Sequence, residues 1–531
     1  MNPTSASQPQ LTEVNYDPFE SRELARAVPT TEAQRELWLA DQLGREASLA
    51  YNESVSLHIA GPLDVAALQD ALLALSDRHE ALRSTISADG TSLMIVPRGS
   101  LQARIVDLSA MAEAAQVQAE ARRRDVSEAF DLVGGPLMRA TLLKCGPSRH
   151  ELLLTAHHIV CDGWSFGVIA SELMALYARI AGRQSTDSLP QADSFGDYAA
   201  AQHGPAYQAA ADADTAWWVR QYDSSIPVLE LPTDRPRRAF RSFDSLREDL
   251  VLDASLTDAV RKLGSKNGAS LFVTLFSVYG SLLARLSGQD DIVVGVPSAG
   301  QATDGSNALV GHCVQLLPVR MAADLEQPFA ALLGTTRSRV LDAYEHQSCT
   351  FGQLLKKLQI QRDPGRLPLV SVLFNLDQAI RSEDLSVAGL TVDLQSNARL
   401  FENFDLFLNA SQSGGRIVLE CQYNTGLFDA ASVRRWLELY RTALERLVAN
   451  AALPTIDAFA PTEADLALLA RFNHSALDYP RELSVHAMIS RQALATPEHI
   501  AVVAGDRRVS YRQLDTNTQG LWVPPNPGAG S

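Results

Sequence analysis

Cysteine is scarce: five residues in 531, at positions 145, 161, 313, 349 and 421, none of them at CxxC spacing. That argues against a disulfide-stapled scaffold or a zinc ribbon and fits free thiols in a reducing cytoplasm. Positive charge is in deficit, with 46 lysines and arginines against 62 acids and a net charge of −16. Such a chain is a poor main partner for nucleic acid or an anionic membrane. No stretch reaches the roughly 18 apolar residues that a membrane-spanning helix needs. The first residues have neither a basic start nor an apolar core, so they do not read as a secretory signal. No short-period repeat is visible.

What is present is ordinary globular material, 46% hydrophobic and 20% charged. The length suggests about three or four domains. Residues 1–28 are polar and proline-containing and read as a flexible leader. Thr31 and Gln34 have capping-box spacing for a first helix. Residues 53–59 alternate as a half-buried strand, and Val65, Leu68, Leu72 and Leu75 recur at helical spacing. Residues 222–245 hold three prolines and several charges, as expected of a segment crossing between two lobes. Beyond it, strand and helix patterns alternate again to a final amphipathic helix at 430–450. The expected layout is one lobe over 29–220, a second with the crossing segment over 221–455, and a linker over 456–483. A short further α/β segment covers 484–520, and 521–531 is a tail.

The most informative stretch is residues 157–165, HHIVCDGWS. Leu152 to Ala156 read as a buried strand, and Asp162-Gly163 marks a turn. Neighbouring side chains on a strand point to opposite faces, so His157 and His158 cannot share one role. One imidazole can face a cleft, where it suits proton transfer near neutral pH, while the other packs inside. Cys161 lies too close to His158 for a familiar zinc pattern. By itself the pair also allows a structural reading.

The spacing His-His-x-x-x-Asp-Gly-Trp-Ser resembles the active-site motif of condensation domains of nonribosomal peptide synthetases, within the chloramphenicol-acetyltransferase-like superfamily. Other stretches are similar in the same order: Thr31 to Trp38, Arg78 to Thr85, Phe195 to Ala199, Leu231 to Pro236, Val310 to Arg320, His346-Gln347, and Arg362-Asp363 through Leu369. Residues 484–515 resemble the opening of an adenylation domain, cut off here.

The resemblance implies an α/β (α+β) fold of two lobes forming a V-shaped pseudo-dimer around a tunnel. Two carrier domains present thioesters on phosphopantetheine arms from opposite mouths, and an amide bond forms between a donor acyl or peptidyl group and an acceptor amine. No cofactor is bound by the domain itself. His158 corresponds to the catalytic second histidine, as general base or as a positioning group. His157 packs behind it. Gly163 lets substrate approach the backbone, and its N–H can polarise the thioester carbonyl. Asp162 invites a triad reading, but the resemblance favours a buried ion pair with Arg78 or Arg83. Trp164, Ser165, Gln315 and His312 are candidates for the tunnel wall, with Ser165 also a candidate helix cap. Gln315 stands where many members carry asparagine. The motif ending is unlike that of epimerisation and cyclisation domains. Ala40 to Gly44 with Ala50 to Ser54 look similar to condensation domains that follow polyketide synthase modules.

Two other readings stay open: a free-standing acyl-CoA-dependent acyltransferase of the same superfamily, and a non-catalytic scaffold.

Overall fold

The computed structural model describes residues 24–109, 111, 113–183, 189–301, 308–361, 363–377 and 385–519. The first 23 residues of the expected leader, Arg362 and the expected tail at 521–531 lie outside the described residues. The chain divides into two compact units, with the boundary between Ala460 and Pro461.

The first unit is built on two large mixed sheets. One has five strands in the order Thr391–Ser396, Asn52–Ala60, Arg149–His157, Met138–Gly146 and Ala103–Asp107. Helices Val65–Arg78 and Gly163–Ile180 bury Leu68, Leu72, Ile169 and Leu173 against its Leu57, Leu152 and Leu154. All of these side chains are essentially inaccessible, and each buried aliphatic group contributes about 1.5–3 kcal/mol. The first helix, Glu32–Asp41, starts at Thr31 with the capping box expected from the Thr31–Gln34 spacing.

The other sheet has six strands, in the order Val314–Ala322, Asp291–Ala299, Val372–Leu376, Leu406–Ser413, Arg416–Asn424 and Ser245–Leu252. Helices Leu271–Ser287 and Ala430–Ala449 pack into the core of this lobe. Among the described residues no single helix is long and apolar enough to cross a membrane.

Mixed α/β architecture in two lobes was the expectation, and it is what is observed. Two details differ from it. Arg26–Pro29 is a strand paired antiparallel with Ser92–Ile95, so residues 26–28 of the expected leader belong to the fold. The expected second lobe over 221–455 also lends a strand to the first. Strand Thr391–Ser396, from the second half of the chain, joins the edge of the first lobe's sheet beside Asn52–Ala60. An edge strand offers unpaired backbone groups, and this exchange covers one.

The second unit contains helices Glu463–Phe472 and Val485–Ala495, a hairpin of Ile500–Ala504 and Arg507–Ser510, and helix Tyr511–Gln519. Gly505 turns the hairpin at φ 58°, a left-handed backbone that glycine adopts without Cβ strain.

Candidate active site

Strand Arg149–His157 runs antiparallel to Asn52–Ala60, with Asn52 opposite His157 and Glu53 opposite Ala156. One step further, the His158 N–H donates to the Tyr51 carbonyl at 2.8 Å. Alternation therefore puts His158, Ala156, Tyr51 and Glu53 on one face and His157 on the other.

His157 is fully buried. Its Nδ1 accepts from the Ile159 N–H at 3.2 Å, and its ring lies 6.2 Å from that of Tyr51 and 6.3 Å from that of Phe130. Burial, with the neighbouring His158 charge second, pushes its pKa down to about 3. Its ring packs inside, on the strand face opposite His158.

His158 faces a cavity of about 1580 Å³ lined by both lobes. The wall includes Glu53, Gly163 and Trp164 from the first lobe, with His312, Gln315 and Asn409 from the second. The ring is held on two sides. Nδ1 lies 2.9 Å from the Cys161 carbonyl and 3.2 Å from His312 Nδ1, the two rings meeting edge to face at 4.8 Å. Nε2 lies 3.3 Å from Glu53 Oε1. Burial holds the His312 pKa well below the usual histidine range, with the His158 charge a smaller cause, so His312 is neutral and can accept.

Glu53 belongs to a charged chain that crosses between the lobes. Its Oε1 accepts from Arg399 Nη2 at 2.7 Å, and Arg399 Nη1 reaches Glu402 Oε2 at 3.0 Å. Glu402 is buried and also accepts the Asn403 N–H at 2.7 Å. None of these three charges was singled out from the sequence. A signal for Glu53 existed: it is an acid on the same strand parity as Val55, Leu57 and Ile59.

Among the described residues no arginine meets Asp162, which corrects the expected ion pair with Arg78 or Arg83. Arg78 pairs with Glu172 at 2.6 Å, and Arg83 donates to the backbone carbonyls of Asp77 and Val96. Asp162 instead caps helix Gly163–Ile180. It accepts the Ser165 N–H at 2.8 Å, the Ser165 hydroxyl at 2.7 Å, the Cys313 N–H at 3.0 Å and Gln301 Nε2 at 3.0 Å. Neutral donors in sufficient number satisfy a buried carboxylate as an arginine would. The cap is thus Asp162 and not Ser165. Ser165 is fully buried, bonded to Asp162 and to both backbone groups of Gly311, and it is not part of the cavity wall.

Gly163 opens the helix beside the cavity, and a Cβ placed on it would meet nothing within 4 Å. That missing side chain leaves room next to His158. Trp164 is half-buried on the wall, and Gln315 and His312 are buried yet also part of it.

The family model described as "Condensation domain" matches residues 25–469. Among curated proteins, the chain is 33% identical over 502 residues to tyrocidine synthase 3 of Brevibacillus parabrevis, covering 93% of this chain and 7% of that one. It is 30% identical over 505 residues to surfactin synthase subunit 1 of Bacillus subtilis strain 168, covering 95% and 14%. The chain therefore spans a small part of these relatives' length. Among solved structures, a four-domain nonribosomal peptide synthetase bound to AMP and glycine superposes with TM-score 0.79 at 20% identity, over 95% of this chain and 39% of that one. The condensation domain of the monacolin K polyketide synthase superposes with TM-score 0.71 at 22% identity, over 82% and 100%.

Proposed function

The chain belongs to the condensation-domain family, and we propose that its cavity is where an amide bond forms between two carrier-bound thioesters. The donor is an acyl or peptidyl group, the acceptor an aminoacyl group whose α-amine attacks. The observation that carries this reading is His158: a half-buried imidazole opening into a cavity walled by both lobes, beside a glycine that leaves space.

The thioester is already activated, so the protein's work is placement and proton transfer. Holding amine and thioester in line corresponds to effective molarities of about 10⁵ M or more. His158 accepts the amine's proton, a contribution of about 10²–10⁴-fold. The Gly163 N–H is the candidate donor to the thioester oxygen. Asp162 acts on the fold, by setting the helix start that positions Gly163.

Among the described residues no group of His, Cys, Asp and Glu side chains could hold a metal ion, and the phosphopantetheine arms belong to the carrier partners. The second unit, 461–519, is read as the opening of an adenylation domain, which makes a downstream adenylation domain a further partner. The location that suits such partners is the cytoplasm. A polyketide or fatty acyl donor is supported by the similarity of residues 40–54 to domains that follow polyketide synthase modules.

The test is amide formation by the full chain from two separately loaded carrier proteins, followed by mass spectrometry. Product from carriers, none from acyl-CoA, and loss in His158→Ala are expected. Product from acyl-CoA alone supports the free-standing acyltransferase reading, and undiminished product in His158→Ala overturns the assignment of that ring.

A further inference from the structure

Glu53 Oε1 is shared by two partners, Arg399 Nη2 at 2.7 Å and His158 Nε2 at 3.3 Å. On the opposite side of the imidazole, Nδ1 lies 2.9 Å from the Cys161 carbonyl oxygen. A carbonyl oxygen can only accept, so Nδ1 carries a hydrogen and Nε2 is the nitrogen that exchanges a proton. A carboxylate that accepts from a guanidinium is also acceptor only. An Nε2 lone pair facing it is repelled, whereas an Nε2–H is attracted.

We infer that Glu53 is a positioning residue for His158, stabilising the imidazolium that forms when Nε2 takes the acceptor amine's proton. This rests on the amide-forming reading above and goes beyond it by naming the carboxylate. Asp162, the acid within the histidine motif, is occupied by Ser165, Cys313 and Gln301 and makes no contact with the ring. Glu53 is anchored by Arg399, whose guanidinium also pairs with Glu402 and lies 5.5 Å from the centre of the Phe407 ring. The side chains of Glu53 and His158 are only 12% and 18% exposed, so water screens the pair weakly.

The amine nitrogen attacks the thioester carbonyl carbon, the C–N bond forms and the π pair moves onto oxygen. The surplus amine proton passes to Nε2. The oxygen pair re-forms the carbonyl as the C–S bond breaks. Sulfur leaves with that bond's electron pair, takes the proton from Nε2 and departs as a thiol. Glu53 and Arg399 are unchanged at the end of the step, their contact at 2.7 Å holding the carboxylate beside the ring.

Long-range ¹⁵N–¹H NMR of the full chain with ¹⁵N-labelled histidine, assigned through His158→Ala, reads the proton on Nε2 directly. Glu53→Gln, which keeps an oxygen toward Arg399, is expected to lower the Nε2-protonated fraction of His158 at neutral pH by about three- to tenfold. Glu53→Asp restores part of it. A second arm follows turnover of an acetyl-loaded donor carrier with a glycyl-loaded acceptor carrier. There Glu53→Gln lowers kcat about tenfold while KM stays within about twofold. An Nε2 signal unchanged in Glu53→Gln overturns the inference, as does wild-type turnover in that variant. A drop in melting temperature with the signal unchanged also overturns it and leaves Glu53 a purely structural ion pair. An intact NMR response with no amide from the wild-type chain overturns the amide-forming reading instead, with the His158–Glu53 coupling standing.

Discussion

Gln301 and Asp162 lie 139 residues apart and meet across the lobes, with Gln301 Nε2 donating to both carboxylate oxygens, at 3.0 and 3.3 Å. The acid of the histidine motif is therefore a joint between the lobes and a helix cap, held by an amide where an arginine was expected.

Asp162→Ala strips the acceptor from the buried Ser165 N–H, the Ser165 hydroxyl, the Cys313 N–H and Gln301. Each stranded buried donor costs about 1–3 kcal/mol. The urea midpoint of the first unit should fall clearly, with a total cost of about 3–5 kcal/mol because the losses overlap. Gln301→Ala should cost less, about 1–2 kcal/mol, since Asp162 keeps three donors. Full stability with lost turnover in Asp162→Ala would mean that the carboxylate acts in the chemistry.

Gly163→Val should separate chemistry from folding. Nothing stands within 4 Å of a Cβ there, so the added atoms enter the cavity beside His158 and not the core. Amide formation should fall by about 10²-fold, as expected of a displaced substrate, with the melting temperature changed by no more than a few degrees. Wild-type turnover in this variant removes Gly163 from the site.

His157 predicts how the first unit responds to acid. Its folded pKa of about 3 lies below the ordinary unfolded value of about 6.5, so the unfolded chain binds its proton first as the pH falls. The stabilisation is thus complete above about pH 6.5 and is lost progressively on acidification toward about pH 3. His157→Phe should weaken unfolding resistance at neutral pH, by leaving the Ile159 N–H without its acceptor, yet show a shallower loss over that window. Equal slopes for both proteins in pH-dependent urea melts would show that another group carries the acid sensitivity.

Glu36 clamps the first helix to the second lobe, accepting the Gly352 N–H at 3.0 Å and the Thr350 hydroxyl. Burial, the largest cause, raises its pKa above the usual carboxylate value. A raised acid contributes most when protonated, below the unfolded value, and loses that contribution as the pH rises through the folded one. Glu36→Gln keeps an oxygen for one donor and removes the charge, so its stability relative to wild type should improve from acid to alkaline pH. Glu36→Ala should be destabilised at every pH, by about 1–3 kcal/mol. A Glu36→Gln difference that does not change with pH contradicts this account of the carboxyl.

Much of the fold was legible because its signals are local. The capping box at Thr31 and Gln34, the helical repeat of Val65, Leu68, Leu72 and Leu75, and the apolar run before His157 each need only neighbours a few residues away. Helix Ala114–Ser127 carries no such signal, and its burial pattern shows why: only Ala121, Asp125 and Val126 are buried, too few to mark an apolar face. Strand Thr391–Ser396 could be read at most as a polar alternation, and nothing local says that it joins the other lobe's sheet.

The sequence by itself determined that two adjacent histidines end a strand and that only one of them can face a cleft, because strand alternation permits nothing else. It also determined that a turn follows at Asp162-Gly163, whereas the start of the helix at Gly163, capped by Asp162 and not by Ser165, came from the fold. Tertiary structure alone decided the electrostatics: Glu53 beside His158, Arg399 reaching in from 346 residues away, Gln301 in place of Arg78 on Asp162, and Arg78 on Glu172. Alternation and capping act over a few residues along the chain, whereas charge pairing depends on distance in space, which packing of the two lobes sets.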